Sequence, residues 1–485
     1  MIKKIKNLFF FETKTIRGTI FKNFAWLFAG NIGGRLLKAL IVIYAARKLG
    51  VEGYGVFSYA FGLAGFFIFF KNIGVDGILT REVAKQPEKE HYYFSTAFWI
   101  EIVLLIITAF LVIFIAPFFS VIKDAIPLLP FVALIIIFDD LKDLFVAFFR
   151  GKDRMDLEAL VVVATNITLV LFGFIALFFW ASPKSFTISN AIASFTGVIV
   201  AAFLLKSFIK GISKNFSKNL VAPILKSAWP FAVAGFASVF LFNVDIIMLG
   251  WWRGVEEIGL YSAAQRIIGM LAIFSGFIAT ATLPSLSRLA HFDQLKMKNV
   301  FEGSLKIIFI ISFPLVIGGI LLSGSIMGFL FGQSYLPATG AFIILLISIL
   351  AVHIMPIFTN LLFVFDKQAK MINYAIIASI CNIALNFLLI PNYGIEGAAS
   401  ATSISFSIYA FLLWRTGKKI FNFKIFFELI KPITAALIMG ILVYTLKEME
   451  IHILINIVVS GMFYFLILYL FKEKMLKEIL AIIKK

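Results

Sequence analysis

Gly50-Val51-Glu52-Gly53-Tyr54-Gly55-Val56-Phe57-Ser58-Tyr59-Ala60 follows a long apolar run, and its pattern returns as Gly254-Val255-Glu256-Glu257-Ile258-Gly259-Leu260-Tyr261-Ser262-Ala263-Ala264, 204 residues later. A second pair keeps the same order: Met155 with Asn166-Ile167, then Met371 with Asn382-Ile383, at an offset of 216. Between the copies lie six apolar runs of about 20 residues, each long enough to cross a hydrocarbon core of about 30 Å as a helix. An even number of crossings gives both halves one orientation, so the repeat is parallel, about an axis along the membrane normal. The expected fold is therefore an all-α integral membrane protein with about fourteen transmembrane helices. A cytoplasmic segment at 1–22 precedes a six-helix bundle at 23–210; a cytoplasmic linker at 211–227 leads to a second six-helix bundle at 228–418. Two further helices and a tail occupy 419–485.

Composition agrees. Of 485 residues, 61% are hydrophobic and only 14% charged, which excludes a water-soluble globular chain of this length. Alternating segments of about ten residues, the signature of a membrane β-barrel, are absent. The net charge of +18 would suit nucleic acid, but the cations sort by loop. Of 44 Lys and Arg residues, 33 fall in the termini and even-numbered loops and 6 in the odd-numbered loops. By the positive-inside rule both termini are cytoplasmic, in the cell membrane, and the excess charge reads as topology and contact with anionic membrane lipids. Residues 1–22 show no cleavable leader, so the first span serves as an insertion signal. The single Cys381 offers no disulfide framework.

Ionised groups inside the spans are costly at roughly 2.5–3.5 kcal/mol each near a helix centre, and they mark candidate function. The first span carries Asn31, Arg35 and Lys38 at i, i+4 and i+7, one polar stripe with Arg35 near mid-depth. The first two spans offer no acid at that depth, and a guanidinium fork with a nearby ammonium suits phosphate or carboxylate oxygens. The stripe is therefore a candidate anion site, with Lys71 and Arg266 as further candidates. Asp76, Asp139, Asp140, Asp143 and Asp245 are candidates for coupling or gating. Asp245 and Arg266, at similar depth on adjacent spans, are a candidate ion pair, and Lys71 is a candidate partner for a fourth-span aspartate. For the fourth-span acids, solvation near the cytoplasmic interface is the simpler reading. Glu101 on the third span stays open, and His353 reads as a core histidine bonded to a backbone carbonyl. Gly30 and Gly34 fit the small-xxx-small pattern of close helix packing.

Enzyme chemistry finds no foothold. There is no phosphate-binding glycine loop, no His-Glu-x-x-His and no cysteine pair, and the four histidines are scattered at 91, 291, 353 and 452. No cofactor is implied. Movement of cargo without an ATP site has to draw on a proton or sodium gradient, the membrane potential, or the cargo's own gradient.

Leu49-Gly50-Val51-Glu52-Gly53-Tyr54-Gly55, Ile73-Gly74, Thr80-Arg81-Glu82, Asp245-Ile246-Ile247-Met248-Leu249-Gly250 and Ile390-Pro391-Asn392-Tyr393-Gly394-Ile395-Glu396-Gly397 follow one another in fixed order. Together they resemble the polysaccharide flippases, the O-antigen or Wzx-type branch of the multidrug/oligosaccharidyl-lipid/polysaccharide exporter superfamily. The resemblance covers nearly the whole chain. It implies a MATE-like fold with two six-helix bundles about a central cavity that opens to each side in turn. It also implies a substrate built of oligosaccharide on a polyprenyl phosphate or diphosphate, flipped outward with its lipid tail left in the bilayer, alongside a glycan polymerase and glycosyltransferases. Arg35 would then hold the phosphate, with Arg266 as its counterpart from the second bundle. Related exporters of organic cations carry an acid in the first helix, where this chain has Arg35 and Lys38. The competing readings are an ion-coupled exporter of small amphipathic molecules, which an acidic cavity would favour, and a membrane glycan polymerase, which needs a large outer loop. The outer loops here are short.

Overall fold

The computed structural model describes residues 16–70, 73–290, 292–423 and 426–473. These fold as helices joined by short turns: α1 Ile16–Gly65, α2 Val75–Lys85, α3 Glu90–Phe110, α4 Leu129–Gly151, α5 Met155–Phe179, α6 Pro183–Leu204 and α7 Lys218–Trp252. There follow α8 Val255–Leu271, α9 Ile273–Leu289, α10 Gln294–Leu321, α11 Thr339–Val364, α12 Gln368–Ile420, α13 Phe426–Glu448 and α14 Ile453–Leu470. Helix is what such a sequence must adopt, because in hydrocarbon every backbone N–H and C=O has to find its partner within the segment. Among the described residues, nine helical segments are long and apolar enough to cross a membrane. One of them, α12, has 53 residues, about 80 Å at 1.5 Å per residue, far more than a bilayer needs. It is broken at Gly394 (φ 53°, ψ −128°), where a Cβ on Gly397 would lie 2.5 Å from Leu389 O. Eight residues of straight helix would separate those groups by about 12 Å. The chain therefore doubles back there.

The repeat seen in the sequence has a backbone cause. Gly50 (φ 70°, ψ −179°) breaks α1, and Gly254 (φ 99°, ψ −176°) joins α7 to α8. Both sit in a region of positive φ and extended ψ that is essentially reserved for glycine. Nothing lies within 4 Å of a Cβ at either position, so conformation rather than space excludes side chains. Gly254→Ala is expected to destabilise the protein by about 1–3 kcal/mol, read as a lowered unfolding temperature in detergent. A further correspondence escaped the sequence reading. The 3-10 turns Lys123–Leu128 before α4 and Gln333–Ala338 before α11 have the same length, and each contains a proline, Pro127 or Pro337.

The chain divides into two compact units, Met1–Val239 and Phe240–Lys485. In the first, α1 lies along α5, α5 along α6, and α4 packs on α2 and α6. Phe94, Leu144, Phe145, Phe148 and Val161 form its core with Ile224 and Ala228 of α7. Lipid is as apolar as these side chains, so close packing rather than expulsion from water holds such helices together. At Gly34, a Cβ would come within 2.7 Å of Asn166 Nδ2 and 3.1 Å of Val162 Cγ1. The glycine thus lets α1 approach α5. Gly34→Leu is expected to cost about 1–3 kcal/mol by overpacking, measurable in the same thermal assay.

In the second unit, α11 packs along α12 and α10 against α11 and α13. Phe301, Leu305, Phe358, Leu361, Phe406 and Leu413 are central to its core. The final helices dock separately on α10: Ala435, Ala436, Met439 and Val443 of α13 are buried, and Tyr464 of α14 donates to Ile310 O at 2.8 Å. Lys306 of α10 fastens the ends of this pair, at 2.8 Å from Glu428 and 2.6 Å from Glu473.

Candidate functional site

Among the described residues, one polar cluster in each unit is built on carboxylates inside the helices. In the first, α4 carries Asp139, Asp140, Lys142 and Asp143 within little more than one turn. Lys142 Nζ is 2.6 Å from Asp139 Oδ1 and 3.7 Å from Asp143 Oδ1. Room for this lysine comes from Gly197 of α6, where a Cβ would sit 2.9 Å from Lys142 Cδ. Ser194 of α6 and the Lys38 ammonium of α1 also bear on the Asp139 carboxylate. Three helices thus converge on one carboxylate. Lys38, for which the first two spans offer no acid, lies within electrostatic reach of Asp139 on the fourth. The acids of α4 do not share one environment either: Asp143 is exposed, Asp139 half-buried, and Asp140 buried outright, so interfacial solvation describes only the first.

Farther along α4, Arg150 grips Glu158 of α5 with two hydrogen bonds, Nε to Oε2 at 2.8 Å. Asp143 and Asp76 lie close enough to act on the same guanidinium. Asp76 of α2 therefore belongs to the same charge network as Asp143. Glu101 of α3 is wholly buried. Lys71 and the side chains of Asn31 and Arg35 lie outside the described residues.

The second cluster is built on Asp245 of α7, which is completely buried. Tyr261 of α8 and Thr402 of α12 both donate to its Oδ2, the latter at 2.7 Å, and Asn386 of α12 donates to Oδ1 at 3.3 Å. Asn386 also donates to Asn382 Oδ1 at 3.0 Å. Asn382 and Asn386 stand before the Gly394 bend and Thr402 after it, so one carboxylate ties together α7, α8 and both arms of α12. Arg266 is not among its partners; it is exposed, and the expected ion pair is replaced by neutral donors. The physical reason is that Arg266, five residues after Tyr261, lies about 140° around α8 from the side chain that meets the carboxylate. Asn386 Oδ1 and Asn382 Nδ2 are buried with no hydrogen-bond partner. Oxygen donors without a fixed cation beside a carboxylate can receive a proton or a small hard cation.

His353 of α11 fulfils its expected role: Nε2 donates to Leu271 O at 3.0 Å, and Nδ1 lies 2.7 Å from Ser312 Oγ. It bolts α8 and α10 to α11. In the turn between α7 and α8, Arg253 donates to Ile390 O at 3.1 Å and Pro391 O at 2.8 Å, capping the first arm of α12 near its bend.

Among solved structures, the chain is similar to the lipid II flippase MurJ in an inward closed conformation, with a TM-score of 0.75 and 21% identity over 92% of this chain and 98% of that one. It is also similar to an inward-facing multidrug resistance MATE family transporter, with a TM-score of 0.65 and 14% identity over 78% of this chain and 94% of that one. With its apolar helices, this makes the protein an all-α, multi-pass membrane protein of MATE-like fold. Among curated relatives, a probable low-salt glycan biosynthesis flippase of Haloferax volcanii is 24% identical over 79% of this chain and 80% of its own. The chain belongs to the polysaccharide biosynthesis protein family, whose profile matches residues 20–290.

Proposed function

We propose that the chain is a flippase that carries a polyprenyl-(di)phosphate-linked oligosaccharide from the cytoplasmic to the outer leaflet of the cell membrane by alternating access. Membership of the polysaccharide biosynthesis family carries this reading, and the glycan biosynthesis flippase among the relatives supports it. The chemistry of α1 agrees. A phosphate at mid-membrane depth loses its hydration, and a guanidinium is the side chain best shaped to replace water at two oxygens at once. With Lys38 in the field of Asp139, Arg35 is the group we assign to the phosphate, and Asn31, Lys71 and Arg266 to further polar contacts with the head group.

Coupling is assigned to Asp245. Its hydrogen-bond partners are neutral donors, so arrival of a proton or sodium ion changes the charge of the joint between α7, α8 and α12. Asp76, Asp139, Asp140 and Asp143 form a second, gating network. We further propose fourteen crossings with both termini cytoplasmic, action as a monomer, and delivery of cargo between glycosyltransferases and a glycan polymerase. The test is complementation of a flippase-deficient strain. Restored surface glycan supports the proposal; a chain present in the membrane that restores none, yet lowers accumulation of cationic dyes, favours drug export instead.

A further inference from the structure

The segment that joins α6 to α7 is fixed in place more firmly than a linker needs to be. Phe208, Ile209 and Ile212 pack against the core of the first unit. The Phe208 ring stacks on His91 at 4.4 Å and meets Phe148 edge-on at 4.7 Å, and Lys152 lies over it at 5.1 Å. Hydroxyls of α3 secure the backbone: Ser95 donates to Ile212 O, and Thr96 Oγ1 accepts from Ser217 N at 3.1 Å. The apolar side chains face inward while Lys206, Lys210, Lys214 and Lys218 recur at every fourth residue and are all exposed.

Between this shelf and α3 runs a groove of about 520 Å³, within the range of about 300–1,000 Å³ usual for ligand sites. Its walls are Trp99, Val103 and Leu104 of α3 and Phe216, Val221 and Leu225 of the shelf and α7. Trp99 is 38% exposed and Phe216 44%, so the groove is open, and an aromatic pair at its mouth matches the composition of a membrane interface. Exposed Lys214 and Lys218 flank the lining residues Ser213 and Phe216 in the chain, and apolar walls with cations next to them are complementary to a molecule with a hydrocarbon chain and a negative head. By the positive-inside reading this edge lies at the cytoplasmic leaflet, where anionic phospholipids reside and where clustered cations next to a transmembrane helix recruit them.

We propose that the groove is a binding site for one anionic phospholipid, its acyl chain along Trp99 and Phe216 and its phosphate held by Lys214 and Lys218. The occupied groove ties α3 to the segment leading into α7. This is independent of the cargo assigned above.

The test uses the full-length protein reconstituted in phosphatidylcholine vesicles with increasing brominated phosphatidylglycerol, since bromine quenches tryptophan only on close approach. The Trp99 contribution is the difference between wild type and Trp99→Phe. The expected result is half-maximal Trp99 quenching at a mole fraction about tenfold lower for brominated phosphatidylglycerol than for brominated phosphatidylcholine, with the two curves brought together in the Lys214→Gln/Lys218→Gln variant. Equal quenching by the two lipids in the wild type, or a preference that survives in the double glutamine variant, overturns the proposal.

Discussion

Asp245→Asn is expected to disconnect transport from the ion gradient. The carboxylate now accepts from Tyr261, Thr402 and Asn386, and an amide in its place presents an NH2 to groups that are themselves donors. One buried donor is left facing another, a cost of about 1–3 kcal/mol that lowers the unfolding temperature without removing the protein from the membrane. The neutral amide also cannot bind a proton or sodium ion as the carboxylate does. Flipping measured with an imposed gradient should therefore fall to the rate measured without one. A gradient that still accelerates the Asp245→Asn variant as it does the wild type removes Asp245 from the coupling role.

Arg35→Ala is expected to reduce flipping of a phosphate-bearing lipid at least tenfold while leaving abundance in the membrane unchanged. A charge-assisted hydrogen bond contributes about 1.5–3 kcal/mol, equivalent to roughly 10- to 150-fold, and a guanidinium fork makes two such bonds with one phosphate. Arg35→Lys keeps the charge but not the fork, and an intermediate rate distinguishes bidentate contact from simple attraction. Complementation of a flippase-deficient strain reads the first effect, and membrane immunoblotting the second. Normal complementation by Arg35→Ala would mean that the phosphate is held elsewhere.

Much of the fold was legible because the bilayer restricts what a chain can do. Apolar length set the helices, and the copies at Gly50 and Gly254 were visible because a backbone at positive φ with extended ψ admits little but glycine. The paired 3-10 turns ending at Leu128 and Ala338 were not visible, since an aliphatic residue followed by proline, Ile126-Pro127 and Leu336-Pro337, is too common a pair to mark a repeat. Charged groups stood out by their cost, which is how Asp245, Asp139 and Lys38 were found. Their partners were harder. Lys38 comes within electrostatic reach of Asp139 through tertiary packing of α1 on α4, which no local spacing encodes. Asn382, Asn386 and Thr402 carry no charge, and hydroxyls and amides in such helices usually bond a carbonyl of their own helix, as Thr165 does to Val161 O and Asn166 to Val162 O. Only the bend at Gly394 brings Asn386 and Thr402 to one carboxylate, and with those neutral donors in place Asp245 has no need of Arg266.

The most direct measurement is flipping of a lipid-linked oligosaccharide by the purified protein in sealed vesicles, with and without a proton or sodium gradient, beside uptake of a cationic dye. The account predicts that the glycan lipid crosses, that a gradient of one of these ions accelerates it, that Arg35→Ala suppresses it, and that the dye is not carried. Dye transport with no movement of the glycan lipid would contradict it.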